Sequence, residues 1–564
     1  MGWKIFGLFG FGCTTPQPTQ TTDTLPEIFY CPGDPSGVCD DAEGTLRAGA
    51  SAIPITPPCF ESWEDTNANA EMNSDEAFFD CGCDRLCDGD EGYPGKDDGE
   101  SDGEFQAVWL AGFHNGRPAA GVHDPLWARA IVFDQGQTRV GVVVLDLVGW
   151  FYPEVVATRQ LASESGLGID QLIIASTHNH EGPDTMGLWG EGITRSGYDP
   201  EYALFVQETS VEALKQAVAS LTDVGRIVSG SVDAASYNDS GIGMLIRDSR
   251  DPKVIDAQLS AILVEDTTGQ TIATLSHFGN HPEVMGADNL LITSDYPGVL
   301  RDSLENGLTY DTYSRNGYGG TSIYINGLVG GLMTPLGVTV VDGEGTKWSE
   351  TSWERMDAMG TVMAEMAMDA IDGGQDLDLN LSTASKTFMV PVENYGFQAM
   401  FLSGIVDRQT HEWDPTRNID ENNLPHVQTE ISWLRLGDLE WLTVPGELFP
   451  ELAIGGYDGS QINTPGLDVI DPDNENPPDL DAAPEPPYLR DRLPSTQAWI
   501  VGLGNDELGY IIPSYDFELN DLLPWFDQAP GDHYEETNSL GPQTAPIVTS
   551  EAVELLSWID AHMR

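Results

Sequence analysis

Apolar runs of strand length alternate with stretches of helical periodicity from about residue 105 onward. Arg139 to Val148 (RVGVVVLDLV) and Leu172 to Ala175 are near-continuous apolar runs, the pattern of buried strands. Between them, Pro153 to Ser165 predicts a helix. Another is predicted from Asp199, an N-cap followed by a proline at the first helical position, to about Leu221. Leu259 to Glu265 and Thr271 to Phe278 flank Thr267-Thr268-Gly269-Gln270 and read as a hairpin. Ile431 to Val444 reads as a second hairpin, turning at Gly437-Asp438. A long helix near Glu350 to Ile371 carries Met356, Met359, Met363 and Met366 at helical spacing, a core stripe. Residues 457–488, rich in Pro, Asp and Asn, predict a surface insertion. The fold class these elements imply is α/β, with mixed sheets in a single large domain and no P-loop or dinucleotide fingerprint.

The polar residues that interrupt this pattern carry the candidate chemistry. The strand at Leu172 to Ala175 runs into Thr177-His178-Asn179-His180-Glu181-Gly182-Pro183. Residues two apart on an extended backbone point to the same side, so both imidazoles are expected to leave the strand end together. Such a pair either ligates a metal, zinc above all, or is hydrogen-bonded within a loop. The strand ending at Phe278 delivers His281 in the same way, within FGNHPE. The LITSDYPG segment beyond it predicts a helix start, with Ser294 or Asp295 as N-cap. Strand Leu439 to Val444 ends in Pro445-Gly446-Glu447, and Tyr510 follows a Gly-rich turn. Taken alone, Glu447 reads as a first-turn acid and Tyr510 as a core aromatic.

Composition sets the surroundings. Net charge is −66, from 91 acidic and 25 basic residues, which repels nucleic acid and anionic membrane surfaces. All seven cysteines fall within the first 87 of 564 residues. Cys13 follows a short apolar stretch with one lysine and precedes a Thr/Pro/Gln tether, the arrangement of a bacterial lipoprotein signal. Residues 1–24 are therefore expected to be signal and tether, lipidated at Cys13, on an exported protein of the periplasm, surface or exterior. The other six cysteines, Cys31, Cys39, Cys59, Cys81, Cys83 and Cys87, fit three disulfides of open connectivity. A zinc site on Cys81, Cys83 and Cys87 is the alternative. The run Asp84 to Glu104, rich in Asp and Gly, offers calcium a site without EF-hand spacing, or is simply an acidic loop. Residues 25–104 thus read as a disulfide-rich acidic insertion.

Taken in order, several blocks resemble the neutral/alkaline non-lysosomal ceramidase family: AGASAIPITPP, DPLWARAIVF, STHNHEGP, NHPEV with LITSDYPG, PGELF, GLGNDELGY and HYEETNSLGP. The resemblance implies a catalytic domain over about 105–564. It implies zinc held by His178, His281, Glu447 and Tyr510, with His180 beside the metal and Tyr534 lining the substrate amide site. The implied reaction is metal-assisted hydrolysis of the amide of an N-acylated lipid such as ceramide, with His180 handling the proton.

The chain also departs from the family pattern. Where the family has Gly-Asp-Val-Ser-Pro, this chain has Gly331-Leu332-Met333-Thr334-Pro335, which leaves Thr334 as the candidate catalytic hydroxyl. Glu181 adds a carboxylate beside the histidines, and Arg247 and Arg250 are candidates for a substrate arginine. The family's C-terminal immunoglobulin-like domain is not found before residue 564. Metallophosphoesterase and metallo-β-lactamase readings fail on spacing. The remaining alternative is a catalytically inactive exported lipoprotein that binds or scaffolds on the same fold.

Overall fold

The computed structural model describes residues 25–563 apart from 34–38, 40–41, 238–239, 465 and 496. Cys13 and its tether lie outside the described residues. A nine-stranded mixed sheet forms the centre. Its middle is antiparallel, and each end is closed by a parallel pair: Gln171–Ser176 on Thr138–Leu145, and Thr321–Asn326 on Thr271–Phe278. The sheet curls until these two ends meet. Asn326, the last residue of one edge strand, donates its Nδ2 to the Thr177 carbonyl just past the other, at 2.8 Å. Both histidine-bearing strand ends therefore open onto one place.

The predicted hairpin is present as Gln258–Asp266 and Thr271–Phe278, antiparallel. The second hairpin is His426–Leu436 with Leu439–Thr443, part of a five-stranded sheet that also contains Gln497–Val501. Side chains from both sheets, among them Ile173, Ala175, Ile325, Leu434 and Val501, share one core. The rings of His277, Trp499 and Trp441 stack in series through it, at 5.1 Å for each pair. Helices cover the outer faces. Pro200–Ala219 starts at Asp199, whose side chain accepts from the Glu201 amide, as the Asp-Pro signal predicts. Trp353–Asp372 buries Met356, Met359, Met363 and Met366. At Asp295–Asn306 the N-cap is Ser294, and it makes no side-chain capping bond; both Ser294 and its amide instead turn to Asp124.

The N-terminal segment is woven into this core. Arg47–Pro54 pairs along its length with Trp127–Gln135 inside the central sheet, and Ile28–Tyr30 extends the second sheet on Leu381–Pro391. The insertion proper is the loop region that follows residue 54. The six cysteines form Cys31–Cys39, Cys59–Cys83 and Cys81–Cys87, so the cysteine zinc site does not exist. In the acidic loop, several carboxylates accept from backbone amides, Glu61 from Gly82 and Gln106, Asp97 from Asp84, and Asp80 from Asp102 and Gly103, while Asp84 Oδ2 and Asp97 Oδ1 are buried without a partner. Among the described residues, no three acidic groups of this loop come close enough together to hold an ion. The 457–488 segment is a surface excursion that carries a short 3-10 turn at Leu480–Ala482.

Candidate metal centre

The strand before the histidine pair ends at Ser176, and His178 adopts a left-handed φ of 66°. The extended-strand expectation is therefore corrected: a turn at His178, not the alternation of a strand, aims the two rings at one point. Such a backbone costs about 1 kcal/mol or more for a non-glycine residue. It is held by flanking bonds, Thr177 N to the Leu145 carbonyl (2.8 Å) and Asn179 N to Leu147 (3.0 Å). Arg117, wholly buried, donates to the His180 carbonyl at 2.6 Å and lies over the Phe113 ring. Gly112 has φ +94°, and a Cβ there would lie 2.3 Å from the His180 ring. Neither Arg117 nor Gly112 is marked by anything in the sequence except the bare AGFHNGRP stretch.

His178, His180 and His281 are all buried and together form a group able to hold a metal ion. The Nε2 atoms of His178 and His180 lie 3.2 Å apart. Glu447 Oε2 lies 3.4 Å from His178 Nε2 and 3.2 Å from His281 Nε2. Ligand atoms about 2.0–2.1 Å from a tetrahedral zinc stand about 3.3 Å apart, so these separations suit such an ion. The tautomers agree. His178 and His281 donate through Nδ1 to the carbonyls of Val148 (2.7 Å) and Met333 (2.8 Å), leaving each Nε2 lone pair facing inward. Neither His281 Nε2 nor Glu447 Oε2 has a hydrogen-bond partner, although they are neighbours. Two buried acceptors aimed at one point without a shared proton are what a cation would satisfy.

Burial pushes the Glu447 carboxyl up, but the neighbouring His178 and His281 outweigh it and hold it below the usual carboxylate range. Burial lowers His180 to about 4 against the opposing pull of Glu283, so its ring is neutral at ordinary pH. Glu283 Oε2 stands 3.2 Å from His180 Nδ1, and Thr334 Oγ1 donates to the other oxygen of Glu283.

The remaining site residues fall into two groups. Tyr510 pairs in register with Glu447 across two short parallel strands and lines the same cleft, with Tyr534 edge-on at 6.3 Å. Tyr534 is 45% exposed at the mouth. Thr334, by contrast, is fully buried behind Glu283 and is absent from the cleft wall. Its hydroxyl reaches the histidines only through Glu283. Glu181 turns away from the ligand atoms, 3.6 Å from Arg117 and accepting from Asn289. Burial pushes its carboxyl well up, and the Arg117 guanidinium pulls it back down. Arg250 is closed inside an ion-pair cluster with Asp516, Glu535 and Glu536 and faces no cleft. Glu507, missed in the sequence, lines the cleft with one buried carboxylate oxygen unpartnered; only its position inside GLGNDELGY hinted at it. The cleft is narrow, with about 60 Å³ of free space, and its walls are mainly apolar, including Phe151, Met186, Leu188, Phe397, Phe401 and Leu540.

Comparison with known proteins shows what this arrangement is similar to. Residues 95–327 match the model for neutral/alkaline non-lysosomal ceramidase, N-terminal. The resemblance to the neutral/alkaline ceramidases holds. Neutral ceramidase A of Dictyostelium discoideum is 24% identical over 198 residues, covering 32% of this chain and 27% of that protein. The match thus spans about a quarter of that curated relative. The fold resembles the crystal structure of neutral ceramidase from Pseudomonas aeruginosa, with a TM-score of 0.57 at 15% identity, over 92% of this chain and 74% of that one. A ceramidase complexed with C2 gives a TM-score of 0.56 at 14% identity, over 92% and 75%. The fold therefore resembles that of the ceramidases, and all three histidines of the group, His178, His180 and His281, lie within the matched stretch.

Proposed function

We propose that the protein is a zinc-dependent hydrolase of the amide bond of an N-acylated lipid of the ceramide kind, working outside the cytoplasm. The observation that carries this reading is a set of buried histidine and carboxylate ligand atoms opening onto an apolar cleft. His178, His281, Glu447 and Tyr510 are the ligands in this reading, the set that the resemblance implies; the close approach of Glu447 to both histidines supports it, and His180 stands beside them. When bound, zinc would supply Lewis acidity toward a carbonyl and lower the pKa of a water molecule toward 7.

The chain's own residues divide the rest of the work. His178 and His281 are locked by backbone carbonyls, so neither can pass a proton. His180 differs, because its second nitrogen faces the Glu283 carboxylate, which stabilises the imidazolium formed when Nε2 takes up a proton. His180 therefore takes the proton released in the attack and returns it to the leaving amine. Thr334 is a positioning residue here, orienting Glu283. Tyr534, which lines the cleft at its mouth, is the hydroxyl able to donate to the amide oxygen in this reading. The aliphatic and aromatic walls take the acyl chain and exclude water.

Elemental analysis of the purified protein, alongside a His178→Ala/His281→Ala variant, tests the metal. About one zinc per chain, lost in the variant, supports the reading and leads to hydrolysis assays on ceramides. Protein that takes up no zinc even when supplied with it would sink the hydrolase and leave the inactive binding lipoprotein as the better account.

A further inference from the structure

The mouth of the cleft carries an apolar surface that the proposed chemistry does not use. Leu522 is 88% exposed, Phe526 68% and Leu523 54%, all within one turn-rich loop. Large apolar side chains this bare are uncommon when clustered, and a cluster marks a place of contact. The loop is also well constructed. Asn520 accepts through Oδ1 from the amides of Leu522 and Leu523, at 2.9 and 3.0 Å, and donates through Nδ2 to the Gln528 carbonyl at 2.9 Å. The Phe526 and Asp527 amides close back on the Leu523 carbonyl. Between the exposed residues, Trp525 is buried and packs against the rings of Phe517 (5.7 Å) and Tyr395 (6.4 Å). The loop's backbone is thus pinned so that its leucines and Phe526 point outward.

Its position ties it to the cleft. Tyr395, itself exposed, opens the helix Tyr395–Ser403, whose Phe397 and Phe401 line the cleft wall. Phe526 approaches that helix at Gly396, 3.7 Å from where a Cβ would stand. On the other side the chain runs within a few residues to Tyr534 at the cleft mouth. An apolar rim and an apolar cleft are therefore continuous.

We propose that the 520–528 loop, with Tyr395, inserts into the surface of a lipid bilayer and seats the cleft mouth on it. The proposal rests on the N-acyl lipid reading, since such a substrate resides in a bilayer. It commits to an electrically neutral, zwitterionic surface, because a chain of net charge −66, with Asp521 and Asp527 on either side of the exposed Leu522, Leu523 and Phe526, is repelled by anionic lipid. Shallow insertion of aromatic and aliphatic side chains binds by buried apolar area alone. The loop is separate from any lipid anchor at Cys13.

The test uses the full chain with Cys13→Ser, so that no lipid anchor contributes, and compares it with the same chain carrying Leu522→Ser/Phe526→Ser. Co-sedimentation with phosphatidylcholine vesicles, with and without added phosphatidylserine, reads binding without any enzyme assay. The expected result is binding to phosphatidylcholine, weakened by phosphatidylserine at low salt, and weakened by about tenfold or more in the double variant. Zinc content and the circular dichroism spectrum should be unchanged, because neither residue touches the ligands. Hydrolysis of a short, water-soluble N-acyl amide should also persist while hydrolysis of vesicle-borne substrate falls. No vesicle binding, or equal binding by the double variant, overturns the proposal. So does a dimer in light scattering that the double variant abolishes, which would assign the loop to a second copy of the chain. Vesicle binding without hydrolysis of any amide would instead keep the docking loop and remove the hydrolase.

Discussion

Glu447 and Tyr510 are register partners across two short parallel strands, so their side chains leave the backbone on the same side. Glu447 reaches His178 and His281, and Tyr510 is delivered to the same cleft from a segment 63 positions later. The two roles can be separated by substitution. Tyr510→Phe removes only a hydroxyl and should leave about one zinc per chain, because two imidazoles and a carboxylate remain. Amide hydrolysis should fall by roughly two orders of magnitude, the usual loss of one preorganised donor or ligand at a reacting carbonyl. His180→Ala is the companion. Zinc retained with activity lost assigns His180 to the proton; zinc lost makes it a ligand.

Gly112 gives the second prediction. Its φ of +94° and the 2.3 Å approach of the His180 ring leave no room for a methyl group. Gly112→Ala should push His180 out of place, destabilise the fold by about 1–3 kcal/mol, and abolish hydrolysis. A denaturant melt with zinc analysis checks both effects, and an unchanged, active Gly112→Ala protein would contradict the placement of His180.

Much of this architecture could be read from the chain, and the limits have physical causes. Hairpins and helices were legible because their signals are local: Thr268-Gly269 for a turn, Asp199-Pro200 for a helix start. That His178, His281 and Glu447 follow strands was legible for the same reason. Their convergence depends on the curl of the sheet, closed by the Asn326 to Thr177 bond between positions 149 residues apart, and no local pattern encodes that. The left-handed turn at His178 was hidden because φ > 0 is favoured by glycine, and histidine gives no such sign. Glu181 read as a charge beside the histidines and Thr334 as a catalytic hydroxyl because sequence shows neighbours and not directions; one turns to Arg117, the other to Glu283.

The position of Thr334 makes a third prediction. Removing its hydroxyl leaves a buried Glu283 oxygen without its partner, and Glu283 in turn holds His180. Thr334→Val should cost about 1–3 kcal/mol and lower kcat with little change in KM, while Thr334→Ser should restore both. A nucleophilic or substrate-contacting hydroxyl would behave differently, with a trapped covalent species or a raised KM, and mass spectrometry of stopped reactions distinguishes the two.

The last prediction concerns acid. His277 is buried in the stack with Trp499, its Nε2 3.0 Å from the Ile500 carbonyl, and burial lowers it to about 4. In the unfolded chain a histidine titrates near 6.5. Between these values the unfolded state binds the extra proton, so stability rises with pH across that window and is lost as pH falls from about 6.5 toward 4. Below about 4 both states are protonated and the loss levels off. A difference of two to three pH units corresponds to about 3 kcal/mol. Acid also protonates the zinc-facing histidines, so the wild-type curve alone mixes two causes. His277→Gln lies away from the ligands, keeps an amide donor for Ile500, and cannot titrate. Urea midpoints between pH 7 and 4.5 should fall less steeply in this variant than in the wild type, whatever its stability at neutral pH. Parallel curves would mean that His277 is already protonated in the fold, or that acid acts only through the metal centre.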